Sequence, residues 1–378
     1  MSREERQSAM WDLRKKNRNR IFRMIYDRRE VSRQELSNTL ALSLPTINQN
    51  LKELCTEGLI EFRGTFGSTG GRRPMVIALA HKSFISVGVE ITATMMRFVA
   101  VDLLGEQIGA ARTNRRFTDS PDYYACFASH LESFLNKNRI ERSRITGVGI
   151  SLPGIVSVDS TVLEMAPTLG VTELPLSRFS DAIPYKCLFD NDASAGGFAE
   201  QFGKAGHKTM AYLSLEKGVG GAMFIKGEPY EGVNRRGAEF GHMRLHTNSG
   251  LACSCGNLGC LEAHCSIDRL TTDYDITLET FFEEMEKGNE VYAARFEEYL
   301  SDLAIGIANI NMVVDCEIII GGQISQHLTP YMDRLRAKVK ARSLPQFNEK
   351  ALQLSHLRTL TSSTGAALRW VQKVIDET

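Results

Sequence analysis

The chain has 378 residues, 43% of them hydrophobic and 24% charged, with 45 basic and 45 acidic side chains. That length predicts two or three domains, and that balance is typical of a globular protein, not a disordered or fibrous one. No apolar run approaches the ~18 residues that span a bilayer, and the opening MSREERQSAMWDLRKKNRNR lacks the apolar stretch of a secretory leader, so a cytoplasmic protein with no membrane partner is expected.

Charge is unevenly spread. Residues 1–74 hold 15 lysines and arginines against 9 acidic residues, a net of +6, and the remainder carries −6. A basic first fifth suits an anionic partner. Three helical segments precede residue 60. In the first, Ile21, Met24 and Ile25 recur at i, i+3 and i+4. The second opens on the capping box Ser32-Arg33-Gln34-Glu35. The third starts near Ser43, tolerates Pro45 in its first turn, carries Ile47, Leu51 and Leu54 on one face and stops at Gly58. Two helices joined tightly make a helix-turn-helix, and the second of the pair enters the major groove. Thr46, Asn48, Gln49, Asn50 and Lys52 are assigned to its outward face, with Ser43 and Pro45 at its leading end. Amides pair with adenine, and lysine meets phosphate or guanine. A strand at 59–63, a Gly-rich tip containing Arg72 and Arg73, and a strand at 75–79 make a wing suited to a minor groove. Double-stranded operator DNA is the expected partner of residues 1–80.

From residue 81 strands and helices alternate. A hairpin is expected over 83–101, a helix over 121–136 and a strand over 145–150 that ends in Pro153-Gly154. The strand 187–189 leads into Asp190-Asn191-Asp192 and a small-residue helix. Residues 210–226 repeat the Gly-rich strand-turn-strand pattern, and 317–320 runs into Gly321-Gly322. Two such halves predict an internal duplication around a cleft.

Cys253, Cys255, Cys260 and Cys265 crowd into thirteen residues, while the other four of the eight cysteines are scattered. In a cytosolic chain such crowding favours a metal. Cys-x-Cys-Gly-x-x-Gly-Cys gathers three thiolates for zinc, and a tetrahedral site needs a fourth ligand. His242, eleven residues upstream on the same excursion, is the candidate; Cys265, His246 and His264 are alternatives.

The segment Gly237-Ala238-Glu239-Phe240-Gly241-His242, followed by Cys253-Ser254-Cys255-Gly256-Asn257-Leu258-Gly259-Cys260-Leu261-Glu262, resembles the signature of the ROK family of repressors and sugar kinases. The wing sequence Gly70-Gly71-Arg72-Arg73-Pro74 resembles that of its repressor branch. The resemblance implies an α/β chain: a winged helix-turn-helix, then an actin-like, hexokinase-like two-lobed ATPase fold with a zinc-binding loop. The lobes would span roughly 81–192 with the C-terminal helix, and 193–365. It implies His242, Cys253, Cys255 and Cys260 as ligands of a structural zinc. It implies Gly154, Asn191, Asp192, Glu239, His242 and Glu262 around a sugar or sugar phosphate, with Asp192 at the position of the kinases' general base. A homodimer or homotetramer is expected, so that two recognition helices meet a palindromic operator.

The chain departs from that pattern in three places. The phosphate loop of Asp-x-Gly-Gly-Thr type reads Glu90-Ile91-Thr92-Ala93-Thr94, Lys217 stands where Thr is usual, and Thr168 replaces a sugar-contacting Asn. A repressor without catalysis is therefore expected, with Asp192 a vestigial base. A kinase carrying a DNA-binding head, or control by a protein partner, are the alternatives.

Overall fold

A computed structural model of the chain describes residues 3–65, 75–204, 208–247, 250–345 and 347–378. The N-terminal unit contains α1 (Arg3–Arg28), β1 (Glu30–Val31), α2 (Arg33–Leu40), α3 (Leu44–Thr56), β2 (Ile60–Thr65) and β3 (Met75–Leu79). Both arms of the capping box form: Ser32 Oγ accepts from Glu35 N–H, and the Glu35 carboxylate accepts from Ser32 N–H. Ala41 takes a left-handed conformation that ends α2, and Ser43 caps α3. Ile21, Ile25, Leu36, Ile47, Leu51 and Leu54 are buried together. The strands order as β1-β3-β2, a small antiparallel sheet with β2 and β3 as the wing's arms. The two-residue β1 was not anticipated.

The larger unit repeats one plan. Its first half has β4 (Ile85–Ile91), β5 (Met95–Asp102), β6 (Gln107–Asn114), α4 (Pro121–Lys137), β7 (Ile145–Leu152), then the short sheet β8 (Ile155–Val156), β9 (Val162–Ala166) and β10 (Val171–Pro175). The one-turn α5 (Ser177–Ser180), β11 (Cys187–Asn191) and α6 (Asp192–Gln201) follow. The second half has β12 (Met210–Leu215), β13 (Val219–Ile225), β14 (Glu228–Pro229), the short helices α7 (Leu261–Cys265) and α8 (Asp268–Thr271), α9 (Leu278–Glu286), α10 (Glu290–Val314), β15 (Glu317–Gly321), α11 (Met332–Lys340), β16 (Leu352–Leu354) and α12 (Thr361–Glu377).

The sheets order as β11-β7-β4-β5-β6 and β14-β13-β12-β15-β16. In each, the opening hairpin is antiparallel and the two later strands add in parallel beside its first strand. Counted within its own half, each sheet therefore runs third, second, first, fourth, fifth, which is the duplication expected from the Gly-rich repeats. Ligands of open α/β sheets bind beyond the carboxyl ends of such strands.

The last helix returns to the first half. A Cβ built on Gly88 of β4 would lie 1.8 Å from Ser363 O, and one on Gly149 of β7 would lie 1.9 Å from Ala366 O. On its other side, Gly365 comes so close to α6 that a Cβ there would lie 1.7 Å from Ala195 O. Glycine is thus obligatory at three points of one sandwich, in which α12 fills the space between the first sheet and α6. The N-terminal unit docks on the far end of this helix. Asn19 Nδ2 donates to Ile375 O at 2.9 Å, and Arg23 pairs with Asp376 at 2.6 Å. One apolar cluster runs from Ile21 and Ile25 through Leu103 and Phe198 to Val371 and Ile375.

Candidate functional site

On α3, Pro45, Asn48, Gln49 and Lys52 are exposed, as is the capping residue Ser43. Thr46 is half-buried, and its hydroxyl lies 2.8 Å from Ser43 Oγ. Asn50 is not on this face. It is 3% exposed, with Nδ2 donating to Thr46 O at 2.8 Å. The reason is periodicity: Ile47, Asn50 and Leu54 stand at i, i+3 and i+7, so position 50 shares the core face. Arg72 and Arg73 lie outside the described residues. Arg14 and Arg18 of α1 pair with Glu53 and Glu57 at the end of α3, fixing the angle between the two helices.

Between the lobes lies a cleft lined by Gly154, Asn191 and Ser194 from one side and Gly221, Tyr230, Gly237 and Glu239 from the other. Asn191 ends β11 and caps α6: its Oδ1 accepts from Ser194 N–H at 3.0 Å, and its Nδ2 donates to Gly154 O at 2.9 Å. Gly154 has φ +114°, and a Cβ there would lie 2.2 Å from Met165 O. The pair forms a fixed corner of the floor. Opposite, Glu239 is exposed to the cleft. Glu262 opens α7, and its Oε2 accepts from Val219 N–H at 3.1 Å while Ser254 donates to Oε1 at 2.7 Å. Thr168 of the first half and this carboxylate both come close to Gly218: a Cβ there would lie 3.0 Å from Glu262 Oε2 and 3.9 Å from Thr168 Cγ2. The strap after β14 reaches across as well, with Arg235 Nη1 donating to Ser157 O at 3.1 Å.

Asp192, first residue of α6, follows Asn191 directly but is not among the residues that line the cleft. Burial, then the nearby Glu90 carboxylate, pushes its pKa up to about 7. Next to it is an ion cluster that sequence reading missed. Arg97 Nη1 donates to both oxygens of Glu90 at 2.9 Å, and the same nitrogen lies 3.8 Å from Glu216 Oε1 of the other half. Glu90 and Arg97 side chains are 4% and 5% exposed. Burial drives the Glu216 carboxyl up to about 8, opposed by Arg97 and reinforced by Glu90. The signal was present: Arg97 is a charge inside the otherwise apolar run of β5, and a buried charge needs a partner.

The cysteine loop closes on itself. His242 Nδ1 lies 3.6 Å from Cys253 Sγ, and Cys255 Sγ lies 3.7 Å from Cys260 Sγ. All four donor atoms lie within 4.8 Å of one another. A tetrahedron with Zn–S of about 2.3 Å and Zn–N of about 2.0 Å has edges of roughly 3.5–3.8 Å, so three thiols and an imidazole at these spacings fit zinc. Hydrogen bonding from Asn257, its backbone N–H foremost, lowers the Cys255 thiol to about 6. With Nδ1 turned to the thiols, His242 keeps Nε2 outward. The alternatives lie elsewhere. Cys265 is buried with Sγ 3.9 Å from Tyr299 O, and His246 and His264 form their own cluster on Asp302 of α10, each at 2.9 Å. His264 Nε2 accepts from Leu251 N–H at 3.3 Å, so this second cluster is a brace between the loop and α10.

Residues 86–373 match the ROK family, and residues 14–61 match the winged helix-turn-helix DNA-binding family. A xylose repressor from Caldicellulosiruptor bescii is 26% identical over 363 residues, covering 89% of this chain and 91% of that one. The crystal structure of a ROK family transcriptional regulator, a homologue of the E. coli MLC protein, superposes with a TM-score of 0.74 at 20% identity, covering 96% and 99% of the two chains. A ROK family glucokinase from Streptomyces griseus in complex with glucose and AMPPNP superposes with a TM-score of 0.63 at 21% identity, covering 75% of this chain and 98% of its own. Among the described residues, no helix is long and apolar enough to cross a membrane.

Proposed function

Because the chain belongs to the ROK family and opens with a winged helix-turn-helix, we propose that it is a DNA-binding transcriptional repressor of carbohydrate-utilisation genes, released from its operator by a sugar bound between the lobes. The observation that carries this reading is the continuous packing from cleft to DNA-binding unit. Asn191 and Asp192 start α6, α6 meets α12 backbone to backbone at Gly365 and Ala195, and α12 holds α1 through Asn19 and Arg23. A sugar that draws Glu239 toward Asn191 and Asp192 closes the cleft and shifts this stack. Packed cores switch between discrete arrangements and do not deform continuously, and a coupling of about 1–3 kcal/mol changes DNA affinity 5- to 150-fold.

The exposed Asn48, Gln49 and Lys52 of α3 are the base and phosphate contacts, with Ser43, Pro45 and Thr46 at the backbone, and Arg72 and Arg73 of the wing reach the minor groove. A homodimer meets a palindromic site about one helical turn between half-site centres. Zinc on His242, Cys253, Cys255 and Cys260 is structural. All four positions are filled by protein, and its work is to hold Glu239 and Glu262 against the cleft. Glu239→Ala tests the reading: operator affinity should stay within about twofold while release by sugar disappears. Loss of DNA binding in that variant would contradict the sensing role.

A second reading, catalytic sugar phosphorylation, is favoured by one observation, Asp192 poised near neutrality as a base should be. Against it, the loop where phosphate should approach is the tight β4–β5 hairpin Glu90–Thr94, with Glu90 tied up by Arg97 and Thr92 bonded to Met95. ATP-dependent phosphorylation of a hexose at ordinary turnover would establish that reading.

A further inference from the structure

Arg369 is where the cleft meets the helix that carries the DNA-binding unit. Among the described residues that line the cleft it is the one supplied by α12, and it shares that lining with Asn191 and Glu239. Its guanidinium is held on two sides. Nε donates at 2.8 Å to Oδ2 of Asp190, the neighbour of Asn191 on β11, and Cζ lies 4.2 Å from the centre of the Phe198 ring of α6. The side chains of the ion pair are 24% and 22% exposed. Nη1 and Nη2 have no acceptor among the described residues. An arginine fork carries donors only, so this unused edge calls for an acceptor. A paired and stacked guanidinium has also lost much of its rotamer freedom already, so a ligand that meets it has little ordering left to impose. Six and seven residues further along the same helix, Ile375 and Asp376 hold α1 through Asn19 and Arg23, only about 9–10 Å away at 1.5 Å per residue.

We propose that Arg369 is a ligand contact of the cleft and the point at which α12 senses its occupancy: Nη1 and Nη2 donate to an acceptor oxygen of the bound sugar. This rests on the sugar-effector reading and adds to it a specificity-determining residue outside the set around Asn191 and Glu239. Asp190 offsets the guanidinium charge, so a hydroxyl or carbonyl oxygen satisfies the contact, while an anionic oxygen there would bind more strongly. A ligand shifts an equilibrium only through a difference in affinity between its states. A sugar bonded to Arg369 is bonded to α12 itself, so its affinity changes when α12 moves against β11 and the cleft floor, and α1 moves with α12. This route is one helix long and does not pass through the α6 contact at Gly365.

The test is calorimetry and operator titration on the full-length protein, with xylose, glucose, N-acetylglucosamine and glucose 6-phosphate as probes and a DNA fragment selected by the protein from a genomic pool. The probe that the wild type binds most tightly is carried forward. Arg369→Met keeps an aliphatic stem over Phe198 and removes the donors. It should bind that probe roughly 10- to 100-fold more weakly. At saturating probe, its ratio of operator affinities without and with sugar should be about threefold or more below the wild-type ratio. A purely structural Arg369 would lower the unfolding midpoint and leave both readouts in place. Asp190→Asn serves if Arg369→Met does not fold: it keeps an oxygen for Nε, removes the charge that fixes the fork, and should move both readouts in the same direction. Probe affinity within about twofold of wild type in a folded Arg369→Met overturns the contact and leaves the sugar reading standing. Weakened affinity with full operator release at saturation overturns the sensing role of α12. Binding of no probe by the wild type overturns the sugar reading, and this assignment with it.

Discussion

Replacing Gly365 with alanine adds one methyl group at the tightest contact of any described glycine. That methyl carbon would begin 1.7 Å from Ala195 O on α6, whereas an ordinary C···O contact is about 3.3 Å. The helices must therefore part by roughly 1.5 Å, which is the size of the helix shifts that carry many switching transitions. The retreat is blocked on the other side, because α12 already lies against the first sheet at Gly88 and Gly149, with built Cβ distances of 1.8 and 1.9 Å. Overpacking usually costs about 1–3 kcal/mol and occasionally more, and a site pinned on both faces belongs at or above the top of that range. We expect a loss of about 3–5 kcal/mol, read as a midpoint fall of roughly 6–15 °C. Gly170→Ala is the control: its φ is +71° and a Cβ there meets nothing within 4 Å, so only backbone strain of about 1–2 kcal/mol applies. Thermal unfolding followed by far-ultraviolet dichroism compares the two variants. If Gly365→Ala proves no worse than Gly170→Ala, the close α6–α12 contact is not as described, and the route from cleft to DNA-binding unit loses its rigid middle.

Other expectations follow from single groups. Asp192 has a folded pKa of about 7 against about 3.9 unfolded, so charging it costs stability as pH rises from about 4 to about 7. Asp192→Asn should then exceed the wild type above pH 7, by at most about 4 kcal/mol, and the difference should vanish toward pH 4; equal stability at pH 8 would contradict that environment. Arg97→Met should cost about 3–5 kcal/mol, because it leaves Glu90 buried without a cation; a neutral outcome in thermal unfolding would remove the cluster from the account. Freshly purified protein should contain one zinc per chain by elemental analysis, and Cys255→Ser should lose it together with sugar binding while operator affinity is kept. Ser32→Ala breaks the capping box of α2 and should lower stability by about 1 kcal/mol.

What could be read before the structure was local. The capping box, the Pro45 first turn, the strands β12 and β15 and the cysteine loop are each specified within a few residues, so spacing alone exposes them. The duplication was legible because each half opens on an apolar strand-turn-strand unit, although the first turn, Thr92-Ala93-Thr94, holds no glycine. Three kinds of feature were not. Helix α10 is buried around much of its circumference from Phe296 onward, so it presents no clean apolar stripe to find. Strand β6 alternates between half-buried and exposed residues at a sheet edge, and its Gly, Ala and Arg content gives no strand signal. The ion cluster joins Glu90 and Arg97 to Glu216 across more than a hundred residues, which only the pairing of the two lobes can reveal. Asn50 was assigned outward from its chemistry, when its position relative to Ile47 and Leu54 already put it on the core face.

The most direct test of the account is a titration of the protein–operator complex with sugar. DNA fragments are first selected from a genomic pool by the full-length protein, and one is labelled for fluorescence anisotropy. Sugars and sugar phosphates are then added one at a time at fixed salt. The account predicts that one of them lowers operator affinity 5- to 150-fold and that Glu239→Ala, bound to the same DNA, does not respond. Operator affinity unchanged by every sugar tested, or release in Glu239→Ala equal to that of the wild type, would contradict it.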